Sequence, residues 1–187
     1  MNKKIYMKTR TTCLLLATAV LLVSCDKKSA PPAAGVSASG PSPELATVLA
    51  ASPKGEAASI AAIRTTAKPG DEITVSGRIM GSKKPFVDGR AAFILGDPDV
   101  LTACNEVPGD ECESPWDACC DSPEDKKRAT ATIQIVDANG RVLKEPIEGV
   151  GGLQNLSKVT VTGKVAEGSS ADLLIVNASA IGLIKPE

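Results

Sequence analysis

From Gly70 onward the chain alternates apolar and polar positions with a period of two. Ile73, Val75 and Ile79 alternate with Thr74, Ser76 and Arg78 about Gly77, the pattern of a half-buried strand that bends at its glycine. Val159, Val161 and Val165 repeat it with Thr160, Thr162 and Lys164 about Gly163. Two further strands are expected over 91–97 and 130–136, the second closed by the turn Asp137-Ala138-Asn139-Gly140, with Val142-Leu143 as its returning edge. Residues 149–156, rich in glycine and without alternation, read as a loop or a single helical turn, and 173–184 as the last strand. Upstream the period changes. Ala58, Ile60, Ala61, Ile63 and Ala67 leave one apolar stripe, which predicts a helix over 55–67 ended by the turn Lys68-Pro69-Gly70-Asp71. Ser42-Pro43-Glu44-Leu45 either starts a short helix or continues a tether.

The tether is a matter of composition. Between residues 26 and 55, 20 of 30 residues are Ala, Pro, Ser or Gly, which leaves too little apolar surface to offset the entropy of ordering. The expected segment, 25–55, is a flexible linker with a reach of roughly 30 Å. Ahead of it, a basic stretch to Arg10 precedes an apolar run over 13–23 that closes as Leu22-Val23-Ser24-Cys25. The run is shorter than the ~20 residues a membrane-spanning helix needs and fits the apolar region of an export signal. The tetrapeptide resembles the bacterial lipobox. That resemblance implies a lipoprotein signal peptide over 1–24 and a mature chain starting at a lipidated Cys25, anchored in a cell-envelope membrane and facing the periplasm or the exterior. Cys13 falls in the discarded segment, and Asp26 resembles the inner-membrane retention signal of enteric bacteria.

Five strands, the first and fourth bent at a glycine, with a short helical connection after the third, resemble the OB-fold barrel; a β-sandwich is the alternative. The expected domain is 56–187, mostly β, preceded by a short helix and carrying a Cys-rich insertion over 98–128 between strands two and three. OB-folds commonly bind single-stranded nucleic acid or sugars through aromatic platforms and a basic groove. This chain departs from that pattern. Removing Lys3, Lys4, Lys8 and Arg10 with the signal reduces 21 basic residues to 17 against 22 acidic ones, a net charge of −5. Phe86, Phe93 and Trp116 are the aromatics beyond the signal, and Lys83-Lys84 and Lys126-Lys127-Arg128 are the basic runs of the domain, each read as a solvated loop. Nucleic acid is therefore not an expected partner. With 0 His in the chain the usual general base is missing and no strand-turn-helix nucleophile motif appears, so no enzyme and no cofactor are expected.

The chemistry concentrates in 104–120, which holds Cys104, Cys112, Cys119 and Cys120 with Trp116 among acids and turn formers. In an oxidising exported compartment such a set reads first as two disulfides that staple a loop too long to stand alone. Each contributes on the order of 2–3 kcal/mol. Three pairings exist, and the one joining adjacent Cys119 and Cys120 is strained. The others are Cys104 with Cys119 and Cys112 with Cys120, or Cys104 with Cys120 and Cys112 with Cys119. The spacing lacks the paired knuckles of zinc ribbons, although soft Cu(I) tolerates it better. Asp110, Glu111, Glu113, Asp117 and Asp121 offer oxygen ligands without EF-hand spacing. Trp116 either packs the loop onto the barrel or forms an exposed recognition tip with Asp117. The expected protein is a non-catalytic, membrane-anchored OB-like binding or scaffold module with an envelope protein as partner. The alternative is an envelope metal-binding or thiol-redox protein.

Overall fold

The computed structural model describes residues 40–185. The export signal, Cys13, Cys25, Asp26 and the tether up to residue 39 lie outside the described residues. Among the described residues five strands form: β1 (Glu72–Ile79), β2 (Ala92–Gly96), β3 (Thr130–Gln134), β4 (Lys158–Val165) and β5 (Ile175–Leu183). They close into a barrel in the order β1-β2-β3-β5-β4. Neighbours are antiparallel except β3 with β5, which run parallel. This is the order an OB barrel requires, and closure excludes the sandwich.

The two echoing segments turn out to be partners. β1 and β4 pair from Glu72↔Lys164 to Arg78↔Lys158, so Ile73 and Val75 face inward beside Gly163 and Val161. Their glycines stand where backbones meet too closely for a side chain. A Cβ on Gly77 would lie 2.6 Å from the Gly96 carbonyl oxygen, and one on Gly163 would lie 2.4 Å from that of Asn177. Gly163 also sits at the register shift between β4 and β5, the extra-residue kink that lets a strand turn a barrel corner. Val75, Phe93, Leu95, Ile133, Val161 and Val176 fill the interior.

Among the described residues three helices decorate the barrel: α1 (Pro43–Ala50), α2 (Ile60–Arg64) and α3 (Pro123–Ala129). The tether expected to run to residue 55 ends earlier. Ser42 caps α1 through Leu45 N–H, and its own amide donates to Glu145 Oε2 at 3.0 Å. Leu45 is fully buried, with Val48 and Leu49 against the same core, because residues three and four apart share a helix face. Beyond α1 the chain straps the outside of the barrel. The Lys54 amide donates to Thr162 Oγ1 at 2.9 Å, Thr74 Oγ1 to the Lys54 carbonyl at 2.5 Å, and the two threonine hydroxyls lie 2.8 Å apart.

The helix expected over 55–67 shrinks to α2. Ala58 instead pairs with β1, donating to the Thr74 carbonyl at 3.0 Å and accepting from Ser76 N–H at 3.2 Å, and Ser59 caps the helix behind it. A sheet ladder satisfies both backbone groups of Ala58 at once, which its helical propensity does not outweigh. The glycine-rich connection contains a single 3-10 turn, Val150–Gly152. Among the described residues no helix is long and apolar enough to cross a membrane.

The docking of α1 has a direct test. Leu45→Ala removes a fully buried side chain, with an expected loss of about 2–5 kcal/mol in urea unfolding followed by Trp116 fluorescence. A freely moving tether at this position gives no change.

Candidate functional site

β2 ends at Gly96, and the next residue organises the base of the insertion. Asp97 is 1% exposed. Its Oδ2 accepts from the Ala61 amide in the first turn of α2 at 3.0 Å, and its Oδ1 from the Asp99 amide at 3.1 Å. A carboxylate here satisfies an orphan helix donor and meets the positive end of the helix dipole. The Asp97 amide donates to the Ala129 carbonyl at 2.8 Å, stitching the start of the insertion to its end. Over that stitch Met80, Leu101, Ala103, Ala118 and Ala129 form a second small core, separate from the barrel interior.

Turns then place the cysteines one by one. Cys104 opens the 3-10 turn Cys104–Glu106. Val107 to Asp110 is a β-turn closed by the Asp110 amide on the Val107 carbonyl at 3.2 Å, with Gly109 at φ 79, the left-handed position that favours glycine. Asp110 Oδ1 accepts from the Cys112 amide at 2.8 Å. Further turns from Ser114 to Asp117 and from Ala118 to Asp121 carry Trp116 and the pair Cys119-Cys120. The two limbs are zipped where the Cys104 amide donates to the Asp117 carbonyl at 2.8 Å and the Asn105 amide to that of Pro115 at 3.0 Å.

These turns gather the sulfurs around Cys119. Its Sγ lies 3.2 Å from Cys104 Sγ, 4.0 Å from Cys112 Sγ and 3.9 Å from Cys120 Sγ. Cys104, Cys112 and Cys119 place their sulfurs within 4.8 Å of one another, and Asp110, Cys119 and Cys120 form a second such trio. The four cysteines stand as free thiols, not as the two disulfides expected, since the shortest approach exceeds the ~2.05 Å of a bond. Cys104 is buried and Cys119 and Cys120 are exposed, so the group runs from the small core to the surface. Burial pushes the Cys104 thiol up to about 12. The hydrogen bond with Cys104 pulls Cys119 down, but its desolvation and its contacts with Cys120 and Cys112 outweigh this and leave it raised.

The acids do not assemble into a site of their own. Asp117 Oδ1 accepts from the Ala118 amide at 2.7 Å and Asp121 Oδ2 from the Thr102 amide at 2.9 Å, so both shape the loop. Glu111 and Glu113 are exposed, and no trio made of carboxylates alone converges among the described residues. Asp110 alone joins the sulfurs, 3.8 Å from Cys120 Sγ.

Trp116 sits where the insertion meets the barrel. Its carbonyl accepts from the Gly81 amide at 3.0 Å and its indole Nε1 donates to the Lys83 carbonyl at 3.1 Å. Arg78 Nη1 pairs with Glu106 Oε1 at 2.5 Å across the same junction. The half-buried indole borders two shallow clefts of about 260 and 520 Å³, both also lined by Glu148 and Asn155.

Two contributors are not evident from sequence reasoning. Asp97 has the place of a strand's last residue and nothing in its neighbourhood marks it as a cap. The basic run Lys126-Lys127-Arg128, expected in a loop, lies in the last turn of α3, where cations suit the helix dipole. A signal for α3 is present: Ser122-Pro123-Glu124 has the cap and first-turn chemistry of Ser42-Pro43-Glu44. Comparison of the chain with protein-family models, with curated proteins and with solved structures finds no match.

The junction at Trp116 predicts how the insertion opens. Trp116→Ala removes the indole clamp on Lys83, so a glutamate-specific protease is expected to cut after Glu111 and Glu113 about tenfold faster, equivalent to ~1.4 kcal/mol of local opening. Unchanged cleavage would show that the limbs hold without the indole.

Proposed function

We propose that this chain is a lipid-anchored, non-catalytic module of the bacterial cell envelope, in which an OB-like barrel holds out its Cys-rich insertion as the working surface toward an envelope protein partner. The observation that carries this reading is the mounting of the sulfur group. Its base is stitched at Asp97 and Ala129, its limbs are zipped at Cys104 and Asp117, and its exposed end carries Cys119 and Cys120. The anchor rests on Leu22-Val23-Ser24-Cys25 and the apolar run before it, and Asp26 favours retention at the inner membrane. Absence of His from the sequence and the engagement of Asp97, Asp117 and Asp121 in backbone caps support a binding role over catalysis.

In the oxidised state Cys104 and Cys119 are the pair we expect to join, being the nearest sulfurs at 3.2 Å. This crosslink fastens the buried limb of the insertion to its exposed one. It agrees with the first member of one pairing expected from spacing, while Cys112 and Cys120 remain as the outer thiols.

Fractionation of native cells tests the anchor. The chain is expected in the membrane pellet and labelled by radioactive palmitate, while Cys25→Ser leaves an unlabelled chain that partitions away from the wild type. Equal pelleting of both forms would refute lipid anchoring. Peptide mapping after treatment of the purified chain with a small disulfide tests the pairing: a Cys104–Cys119 crosslink is expected first, and a first crosslink between Cys112 and Cys120 contradicts it.

A further inference from the structure

The spacing of the sulfurs suits an ion at their centre. Three sulfurs held around one ion at a metal–sulfur distance of about 2.3 Å lie roughly 3.8–4.0 Å from each other. Cys112 Sγ and Cys119 Sγ are already 4.0 Å apart, Cys104 Sγ is 3.2 Å from Cys119 Sγ, and the three fall within 4.8 Å of one another. Small shifts of side chains complete the triangle, because Cys104 is held by the zipped limbs and Cys119 by the turn from Ala118 to Asp121, and the Cys112 amide is held by Asp110 Oδ1 at 2.8 Å. Cys120 stands apart, grouped with Asp110 and Cys119 but not with the other two sulfurs.

We propose that Cys104, Cys112 and Cys119, in their reduced form, bind one soft monovalent cation of the Cu(I) class in a three-thiolate site. This rests on the proposed role of the insertion as the working surface of an exported module, and it names the ligand of that surface.

The donor set decides the class of ion. Three thiolates with no imidazole select soft cations, and the one nearby carboxylate, Asp110, is grouped with Cys119 and Cys120 and not with Cys104 and Cys112. Zn²⁺ in a structural site requires a fourth protein ligand, which Cys120 does not bring to the trio. Each thiol gives up its proton as its sulfur takes the ion, so binding three thiolates releases three protons. Burial of Cys104 withdraws one ligand from solvent, and Asp110, Glu111 and Glu113 give the mouth of the site the negative charge that attracts a cation. Metal and disulfide are alternative uses of the same atoms: joining Cys104 to Cys119 removes two of the three ligands.

The test uses the full chain in detergent, reduced and held under inert gas, titrated with Cu(I) buffered by a coloured chelator. One ion per chain is expected to leave the chelator, with X-ray absorption giving three sulfurs at about 2.3 Å. Cys104→Ser, Cys112→Ser and Cys119→Ser are each expected to weaken binding by at least about tenfold, and Cys120→Ser by less than about threefold. Should a serine variant fail to fold, alkylation of the wild type decides: bound Cu(I) is expected to shield Cys104, Cys112 and Cys119 and to leave Cys120 reactive. Copper left wholly with the chelator, a four-sulfur spectrum, or shielding of Cys120 equal to that of Cys119 overturns the site. Membrane partition is read separately. A chain that pellets yet takes no copper sinks this inference alone, and a copper-binding chain that does not pellet sinks the anchor alone.

Discussion

Closure of the barrel rests on close approaches of bare backbone, Gly77 against Gly96 and Gly163 against Asn177. A methyl group at either glycine would meet a carbonyl oxygen at a distance no packed Cβ adopts. Because β1 bends at Gly77 it serves β4 along most of its length and β2 at its end. That bend brings Gly96, and with it Asp97, to one end of the barrel beside Ile60 of α2. The position of the Cys-rich insertion is thus set by where two backbones touch.

From that point the insertion is built by local rules. The Asp97–Ala129 hydrogen bond brings its ends together, so the long excursion between β2 and β3 behaves as a closed loop whose further order comes from successive turns. The small core of Met80, Leu101, Ala103, Ala118 and Ala129 contains few large side chains. Its packing therefore provides limited stabilisation, and any covalent or metal link among the sulfurs has a correspondingly large share in holding the limbs.

The strands are legible in the sequence because their signal is local. Period-two alternation identifies β1 and β4, while β2 reads as a short apolar run, and the resemblance between β1 and β4 follows from their facing each other across the same seam, each needing alternate polar residues outside and a glycine at the bend. The features that escape it are decided at a distance. Ala58 leaves the helix because Thr74 and Ser76 offer it a ladder. The docking of α1 depends on Glu145, about a hundred residues downstream, and on β5, and nothing near Leu45 announces them. The four cysteines are evident as a group, but their arrangement about Cys119 is not, since it depends on which limb each turn presents. The start of α3 is a different case, because Ser122-Pro123-Glu124 carries a local helix signal that the basic run behind it masks.

The strap over 52–54 has a mechanical consequence. Its hydrogen bonds to Thr74 and Thr162 run across the seam of β1 and β4, and Ser42 is fixed to Glu145 at the far end of α1. A pull arriving along the chain from its N-terminal side therefore loads Ser42 and α1 first and the strap next. The barrel seam is strained only after both have yielded, and the sulfur-bearing insertion, which hangs from β2 and β3, is left out of the line of tension.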